Sequence, residues 1–354
     1  MMSDIEITSV RIGHCGLITL DRPRALNALT HEMVTAMGAA LDDFAQDPAI
    51  RTVAVRSSSA RAFCAGADIR RVYELGNAGR HDEQLGFLRD EYRNCYRIKS
   101  YPKPYVALLD GIVMGGGAGI SVNGAHRVAG DSITFAMPET AIGFFPDVGA
   151  TYFLSRLPHR IGAYLAMSAG RINLGDVLAL GLATTHVPSA RFDALIEQFA
   201  AGQEAGAAIA AESVAPPPSD LLKEREVISR AFAFSNPKRI FTALADLAHR
   251  GSTFAEDALL ILRARSPSSV AVALRQVQIG ADLGFGAALN VEYRIAAKIL
   301  RSHDFYEGVR VTLVDKGDTP SWQPPLIEDV SETDIDAYFA SPGNEDLMLP
   351  AGAA

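Results

Sequence analysis

Between Val113 and Asp147 the chain carries a glycine run, Met114-Gly115-Gly116-Gly117-Ala118-Gly119, followed by two acids in Pro138-Glu139-Thr140 and Phe145-Pro146-Asp147. Glycines let a backbone come close to a ligand, and the first amides of a helix are unpaired donors at its positive end. A run that leaves a strand and opens a helix can therefore hold an anion or an oxyanion. Carboxylates after it can serve as a base, as a nucleophile or as an acceptor for a substrate hydroxyl. A third acid stands out upstream: over residues 82–99 the pattern is helical, and Glu91 lies on the same stripe as Leu88, Cys95 and Ile98. Burying an acid there is costly without a partner, so Glu91 either does chemistry or pairs with a neighbouring arginine.

Several chemistries are excluded by register. With Gly115 first, Ile120 occupies the place of the third glycine in G-x-G-x-x-G, and the Gly-Lys-Ser/Thr of a phosphate loop is absent. Gly119-Ile120-Ser121 continues to Val122-Asn123, so the nucleophile elbow G-x-S-x-G fails and Ser121 is not read as a nucleophile. The histidines, among them His14, His126 and His303, form no spaced pair, so no metal site is expected. Two structural alternatives stay open. Asp147, just before Val148-Gly149-Ala150-Thr151, could be a helix N-cap, and Glu139 after Pro138 could be a first-turn acid favouring a helix dipole.

The elements that must position these groups read as an α/β chain. Ile5 to Leu20 predicts two strands around Gly13-His14-Cys15-Gly16, with apolar residues alternating through Val10, Ile12, Leu17 and Thr19. Thr30 caps a predicted helix over 31–44, with Met33, Met37 and Leu41 on one face. Thr52 to Val55 is a strand, and Pro104 to Leu109 is the strand that leads into the glycines, with a buried helix from Ala118 after them. Short helices are expected over 150–157 and 161–169, another from Asn173, and a strand near His186. Ala200 to Ala215 is alanine-rich and Pro216-Pro217-Pro218 is a stiff break, the best internal boundary or a surface excursion near it. The rest, Asp220 to Tyr338, is mostly helical by period.

With 354 residues, 48% of them hydrophobic and 21% charged, the chain can bury a sizeable core. A net charge of -8 gives no global basic field for nucleic acid or an anionic membrane, which points to small-molecule partners. Cys15, Cys64 and Cys95 are an odd, sparse set that argues for a reducing compartment. No apolar run approaches the roughly 18 residues of a membrane helix. The opening Met1-Met2-Ser3-Asp4-Ile5-Glu6 is acidic, with no signal or transit peptide visible, so the expected location is the cytoplasm.

Four motifs in order, Arg22-Pro23-Arg24-Ala25-Leu26-Asn27-Ala28-Leu29, Phe63-Cys64-Ala65-Gly66-Ala67-Asp68-Ile69, Gly115-Gly116-Gly117 and Pro138-Glu139, resemble the crotonase (enoyl-CoA hydratase/isomerase) superfamily. Asp90-Glu91-Tyr92, Phe135 to Gly143, Phe145 to Gly149, Ser266-Pro267-Ser268-Ser269 and His303 to Arg310 are similar to a hydrolase subgroup of that superfamily. The resemblance covers about residues 10–345. It implies a crotonase-like spiral of ββα units with a mostly helical C-terminal region, residues 5–190 forming the acyl-CoA-binding core and 191–345 a helical region completing the same functional unit. It also implies an oxyanion hole from the backbone amides of Ala67 and Gly116, and contact of Glu91, Gly116, Glu139 and Asp147 with an acyl group. Binding of CoA by Arg24, Ala25, Asp68 and Ile69 is carried over more loosely, as is Lys316 for an adenosine phosphate. Hydratases resembling this chain carry a glutamate three residues after the oxyanion glycine; here that place is Gly119.

The resulting expectation is hydrolysis of a short branched 3-hydroxyacyl-CoA, with Ala67 and Gly116 polarising the thioester, Glu139 as base or nucleophile, and Asp147 accepting from the 3-hydroxyl. No cofactor is expected, since CoA is part of the substrate, and a homo-oligomer is compatible with the superfamily. A hydratase or isomerase, or a non-catalytic acyl-CoA-binding module, is the alternative.

Overall fold

Nine strands form among the described residues, the longer ones, β1, β2, β3 and β5, from runs rich in valine, isoleucine and leucine: β1 Ile7–Ile12, β2 Cys15–Leu20, β3 Thr52–Ser57, β4 Ala62–Cys64, β5 Tyr105–Leu109, β6 Ile112–Met114, β7 His126–Ala129, β8 Thr134–Ala136 and β9 Thr185–His186. The structure is a computed structural model and describes residues 6–341, 343 and 346–351. Ile5 and Glu345, the outer limits of the expected regions, lie outside the described residues.

The chain divides into two units. The first comprises Met1–Asp68, Asp90–Phe135 and Ile172–Asp220; the second comprises Ile69–Arg89, Ala136–Arg171 and Leu221–Ala354. The final passage from first to second falls at Asp220–Leu221, just after Pro216-Pro217-Pro218.

In the first unit one sheet has the order β1-β2-β3-β5-β7-β9, and a smaller one the order β4-β6-β8. Only the β1–β2 pair of the long sheet is antiparallel. β3 with β4, β5 with β6, and β7 with β8 each place one strand in each sheet, so every repeat advances both sheets by one position. This is the expected ββα spiral. β5 is buried along its whole length, as the interior of a parallel sheet requires. On one face Leu17, Ala54, Val106, Leu108 and Val128 pack against Leu195, Ile196, Phe199, Ala205, Ala208 and Ile209.

The alanine-rich tract, expected at an internal boundary or in a surface excursion near it, packs into this core. Its residues 205–212 form a helix capped by the Glu204 carboxylate, which accepts from Gly206 N and Ala207 N, and it covers the sheet. Small side chains let a helix lie close to strands. The helix His31–Gln46 begins at Thr30, whose hydroxyl accepts from Met33 N at 3.2 Å, and it buries Met33, Met37, Leu41 and Phe44 as its spacing predicts. The alternation in β1 does not mark a buried face: Val10 and Ile12 are 47% and 40% exposed, because β1 is the sheet's edge and the core cluster starts at β2.

Two expectations around the glycines need correction. The run 104–109 is β5, which turns at Asp110-Gly111, and β6 in the smaller sheet is the strand that enters the corner. The helix after it is a single turn, Gly116–Gly119. It stops because Ser121 Oγ donates to Gly117 O at 2.6 Å and Asn123 Nδ2 donates to Gly119 O at 2.8 Å, so side chains take the carbonyls a longer helix would use.

The second unit is built mainly from helices, including Ala150–Ser155, Ile161–Ser168, Pro237–His249, Thr253–Arg263, Pro267–Gly280, Phe285–Ile299 and His303–Val309. Pro267–Gly280 is buried around much of its circumference and starts at Ser266, whose hydroxyl accepts from Ser269 N.

Candidate active site

Within the first unit, Ala67, Gly116 and Glu91 come together. Leu29 N donates to Gly66 O at 2.8 Å and Asp68 N donates to Leu29 O at 2.9 Å, a parallel bridge in which Leu29 uses the neighbours of Ala67. The N–H of Ala67 is thereby turned away from Leu29. A Cβ placed on Gly116 would lie 3.3 Å from the Ala67 nitrogen and 2.4 Å from Glu91 Oε1. Gly116 is the first residue of its helical turn, where an N–H has no intrahelical acceptor. Gly115 before it sits at φ 48°, ψ -122°, a region essentially reserved for glycine. Two backbone amides and a buried carboxylate, 1% exposed, thus share one small space.

The loop that carries the Ala67 amide is fixed from behind. Asn27, fully buried, donates from Nδ2 to Ser57 Oγ at 2.7 Å and to Phe63 O at 3.0 Å, and its Oδ1 accepts from Arg22 N at 2.8 Å. That staples the Arg22–Leu29 segment to β4. Arg22 also pairs with Glu6 at 2.8 Å and with Asp68 at 2.9 Å. Asp68, expected at CoA, is therefore held in an ion pair, while Arg24 is exposed on the turn Pro23–Ala25. Cys64 is inert here: burial pushes its thiol up to about 12, with the nearby Glu91 charge adding to the effect and the Gly66 backbone bond opposing it.

The second unit carries Glu139 and Asp147. Glu139 opens a tight turn, Glu139–Ile142, and is 6% exposed. Thr140 Oγ1 donates to Met167 O at 3.1 Å, and Phe144 N donates to Glu139 O at 3.0 Å. Phe144 packs on Phe145 and on Phe305 of the helix His303–Val309. That helix is tied down in turn: Asp304 accepts from Ser266 Oγ at 2.5 Å and from Gln323 N at 2.8 Å. The C-terminal Ser266 and His303–Asp304 motifs act as this frame.

Asp147 is 5% exposed and is not a helix cap. The cap position of Ala150–Ser155 is Gly149, with no side-chain bond from it. The amides there belong to Glu292, whose Oε2 accepts from Gly149 N at 2.7 Å and whose Oε1 accepts from Thr151 N at 2.8 Å. Of the looser candidates, Ile69 opens the helix Ile69–Asn77 and Lys316 lies on an exposed turn, both in the second unit.

Sequence reasoning missed Asn27 as a brace and Glu292 altogether. Glu292 did leave a trace, an acid between Leu289 and Ile295 on a helix with Val291 and Ile299. Burial raises the Glu292 carboxyl to about 8, with the Asp147 charge raising it further and the two amides opposing. An acid whose pKa is raised on folding binds a proton in the native state that the unfolded chain has already released. Stability is then expected to fall as pH rises from about 4.5 to about 8, by a few kcal/mol at most. Thermal melting of wild type and Glu292→Gln from pH 5 to 9 checks this: the variant should show a flatter dependence.

A family model, enoyl-CoA hydratase/isomerase, matches residues 15–339. The chain is 39% identical to a protein of Xenopus tropicalis named 3-hydroxyisobutyryl-CoA hydrolase, mitochondrial, over 98% of this chain and 92% of that one. Among solved structures, one titled a carnitinyl-CoA dehydratase from Mycobacterium thermoresistibile superposes with a TM-score of 0.92 at 37% identity, covering 97% of this chain and 98% of that one. Another, titled an enoyl-CoA hydratase from Rhodobacter sphaeroides, gives 0.91 at 36% identity, covering 97% and 100%. Among the described residues no helix is long and apolar enough to cross a membrane.

Proposed function

The chain belongs to the enoyl-CoA hydratase/isomerase family, and from that premise we propose that it hydrolyses the thioester of 3-hydroxyisobutyryl-CoA, or of a closely similar short branched 3-hydroxyacyl-CoA, to the free 3-hydroxy acid and CoA. The observation that carries this choice is Gly119. It is a buried residue with no side chain, where a two-carboxylate hydration mechanism needs a second acid. The identity to the Xenopus hydrolase along nearly the full chain supports the same choice.

In this reading the amides of Ala67 and Gly116 donate to the thioester oxygen as it becomes an oxyanion. Water adds to the carbonyl carbon while Glu139 takes its proton, the carbon–sulfur bond breaks, and the thiolate leaves as CoA. Alternatively the Glu139 carboxylate attacks first, expels CoA and forms a mixed anhydride that water opens. Glu91 and Asp147 contact the acyl group, and Arg24, Ala25, Asp68 and Ile69 contact the CoA. Residues 5–190 form the acyl-CoA-binding core in this scheme, and 191–345 complete it. No resident cofactor enters, and a homo-oligomer is part of the same proposal, read by sedimentation.

The titles of the two solved structures favour a second reading, hydration or dehydration through Glu139 alone. Incubation with crotonyl-CoA and with 3-hydroxyisobutyryl-CoA separates the two, following free thiol and enoyl absorbance. Thiol release from the hydroxyacyl thioester is expected; loss of enoyl absorbance without thiol release overturns the hydrolase.

Asp147 gives a specificity prediction. A buried acceptor left without its hydroxyl disfavours the substrate that lacks it, so 3-hydroxyisobutyryl-CoA should exceed isobutyryl-CoA in kcat/KM by at least about 100-fold. Asp147→Asn should reduce that ratio by about tenfold or more. The cytoplasmic location expected from the sequence draws no support from the relative named mitochondrial. Fractionation of cells producing the full chain tests it.

A further inference from the structure

Val148 is a β-branched residue at φ 54°, fully buried, directly between Asp147 and Gly149. A β-branched side chain in the left-handed region is a genuine outlier and persists only where its surroundings hold it. What holds it lies on two helices of the same unit. Glu292, fully buried on Phe285–Ile299, spends one carboxylate oxygen on Gly149 N and the other on Thr151 N. Gln276, fully buried on Pro267–Gly280, donates from Nε2 to Pro146 O and, at 3.2 Å, to Thr151 Oγ1. The backbone is thus gripped on both sides of Asp147.

Burying a carboxylate is costly, and two neutral amides offset only part of that cost. A plain capping side chain would hold the helix start more cheaply. Resting on the reading of Asp147 as the acceptor for the substrate's 3-hydroxyl, we propose that Glu292, with Gln276 beside it, is the positioning residue of that acceptor: it holds the left-handed Val148–Gly149 turn that aims Asp147, and so sets the preference for a 3-hydroxyacyl group. With or without a proton, each Glu292 oxygen keeps an acceptor for its amide.

Glu292→Gln keeps the shape but turns an NH2 toward one of the two N–H groups, so one amide loses its acceptor. The kcat/KM ratio of 3-hydroxyisobutyryl-CoA to isobutyryl-CoA is expected to drop about tenfold or more, chiefly through the hydroxylated substrate, and Asp147→Asn in the same background should lower it little further. Val148→Gly, which accepts the left-handed turn without strain, should restore part of the ratio to Glu292→Gln. Should Glu292→Gln not fold, Gln276→Met, which releases Pro146 O, is read by the same two-substrate ratio. A ratio unchanged in the positioning variants while Asp147→Asn lowers it overturns the proposal and leaves the reading of Asp147 standing. Equal losses on both substrates, or additive effects with Asp147→Asn, overturn it too. A ratio unmoved by Asp147→Asn overturns both.

Discussion

Glu139→Gln is expected to cut thioester hydrolysis by about 10²- to 10⁴-fold in kcat while CoA affinity stays near wild type. The size follows from what the residue is asked to do: positioned proton transfer contributes roughly that factor, and no second acid stands at residue 119 to take over. The carboxylate sits on a turn fixed by Thr140 and Phe144, so an amide of the same shape should leave the turn intact. Free-thiol release measures the rate, calorimetry with CoA measures affinity, and a melting curve shows whether the fold survives. A single turnover in ¹⁸O-water then tests the nucleophile route, since label on Glu139 comes only from an anhydride opened at the glutamyl carbon. If Glu139 is a base, or if an anhydride opens at the acyl carbon, the label enters the product acid. If it forms an anhydride that water opens at the glutamyl carbon, the label stays on the protein. Retained hydrolysis in a folded Glu139→Gln would remove this residue from the chemistry, and a wild type that binds acyl-CoA without releasing thiol would make the chain a binding module.

How much of this could be read from the residues depends on the range of the interaction concerned. Helix 31–46 was legible because its cap, Thr30, and its buried face, Met33, Met37 and Leu41, are local features with a fixed period. The glycine corner was legible as a place for close backbone approach, since Gly115 needs a conformation few residues adopt. Its two-sheet setting was not, because the split of β5 and β6 between sheets is decided by partners far along the chain. Glu91 announced itself as a misplaced acid on an apolar stripe, whereas Asp147 carried the spacing of a helix cap and is not one. The reason is Glu292, which reaches those amides from 141 and 143 positions away and leaves the Asp147 carboxylate out of the cap. The alanine tract marked the neighbourhood of a boundary, since the last passage between units falls at Asp220–Leu221, but not its helix on the sheet: a composition that suits a surface excursion also suits a helix lying close on strands, and only the facing strands decide.

Gly116→Ala is expected to cost roughly 10²- to 10³-fold in kcat, the size seen when one oxyanion donor is lost. The added methyl group would stand 2.4 Å from Glu91 Oε1, 3.2 Å from Leu29 Cδ1 and 3.3 Å from the Ala67 nitrogen, and the first of these is closer than real contacts allow. Glu91 is buried on its helix and has little room to retreat, and Leu29 belongs to the bridge that orients Ala67. Either the Gly116 backbone moves or the methyl group fills the space in front of the two amides. A donor displaced by half an ångström no longer meets the oxyanion at the 2.7 to 3.1 Å that stabilisation needs. Because the thioester carbonyl in the ground state uses these donors less than the oxyanion does, the loss should fall on kcat more than on KM. The measurement is kcat and KM for 3-hydroxyisobutyryl-CoA, with melting temperature as the control on folding. A folded Gly116→Ala with undiminished kcat would place the oxyanion elsewhere than between Ala67 and Gly116. A matching loss on a thioester without the 3-hydroxyl would set this corner apart from Asp147, because polarising the carbonyl is common to every acyl group, whereas recognising the hydroxyl is not.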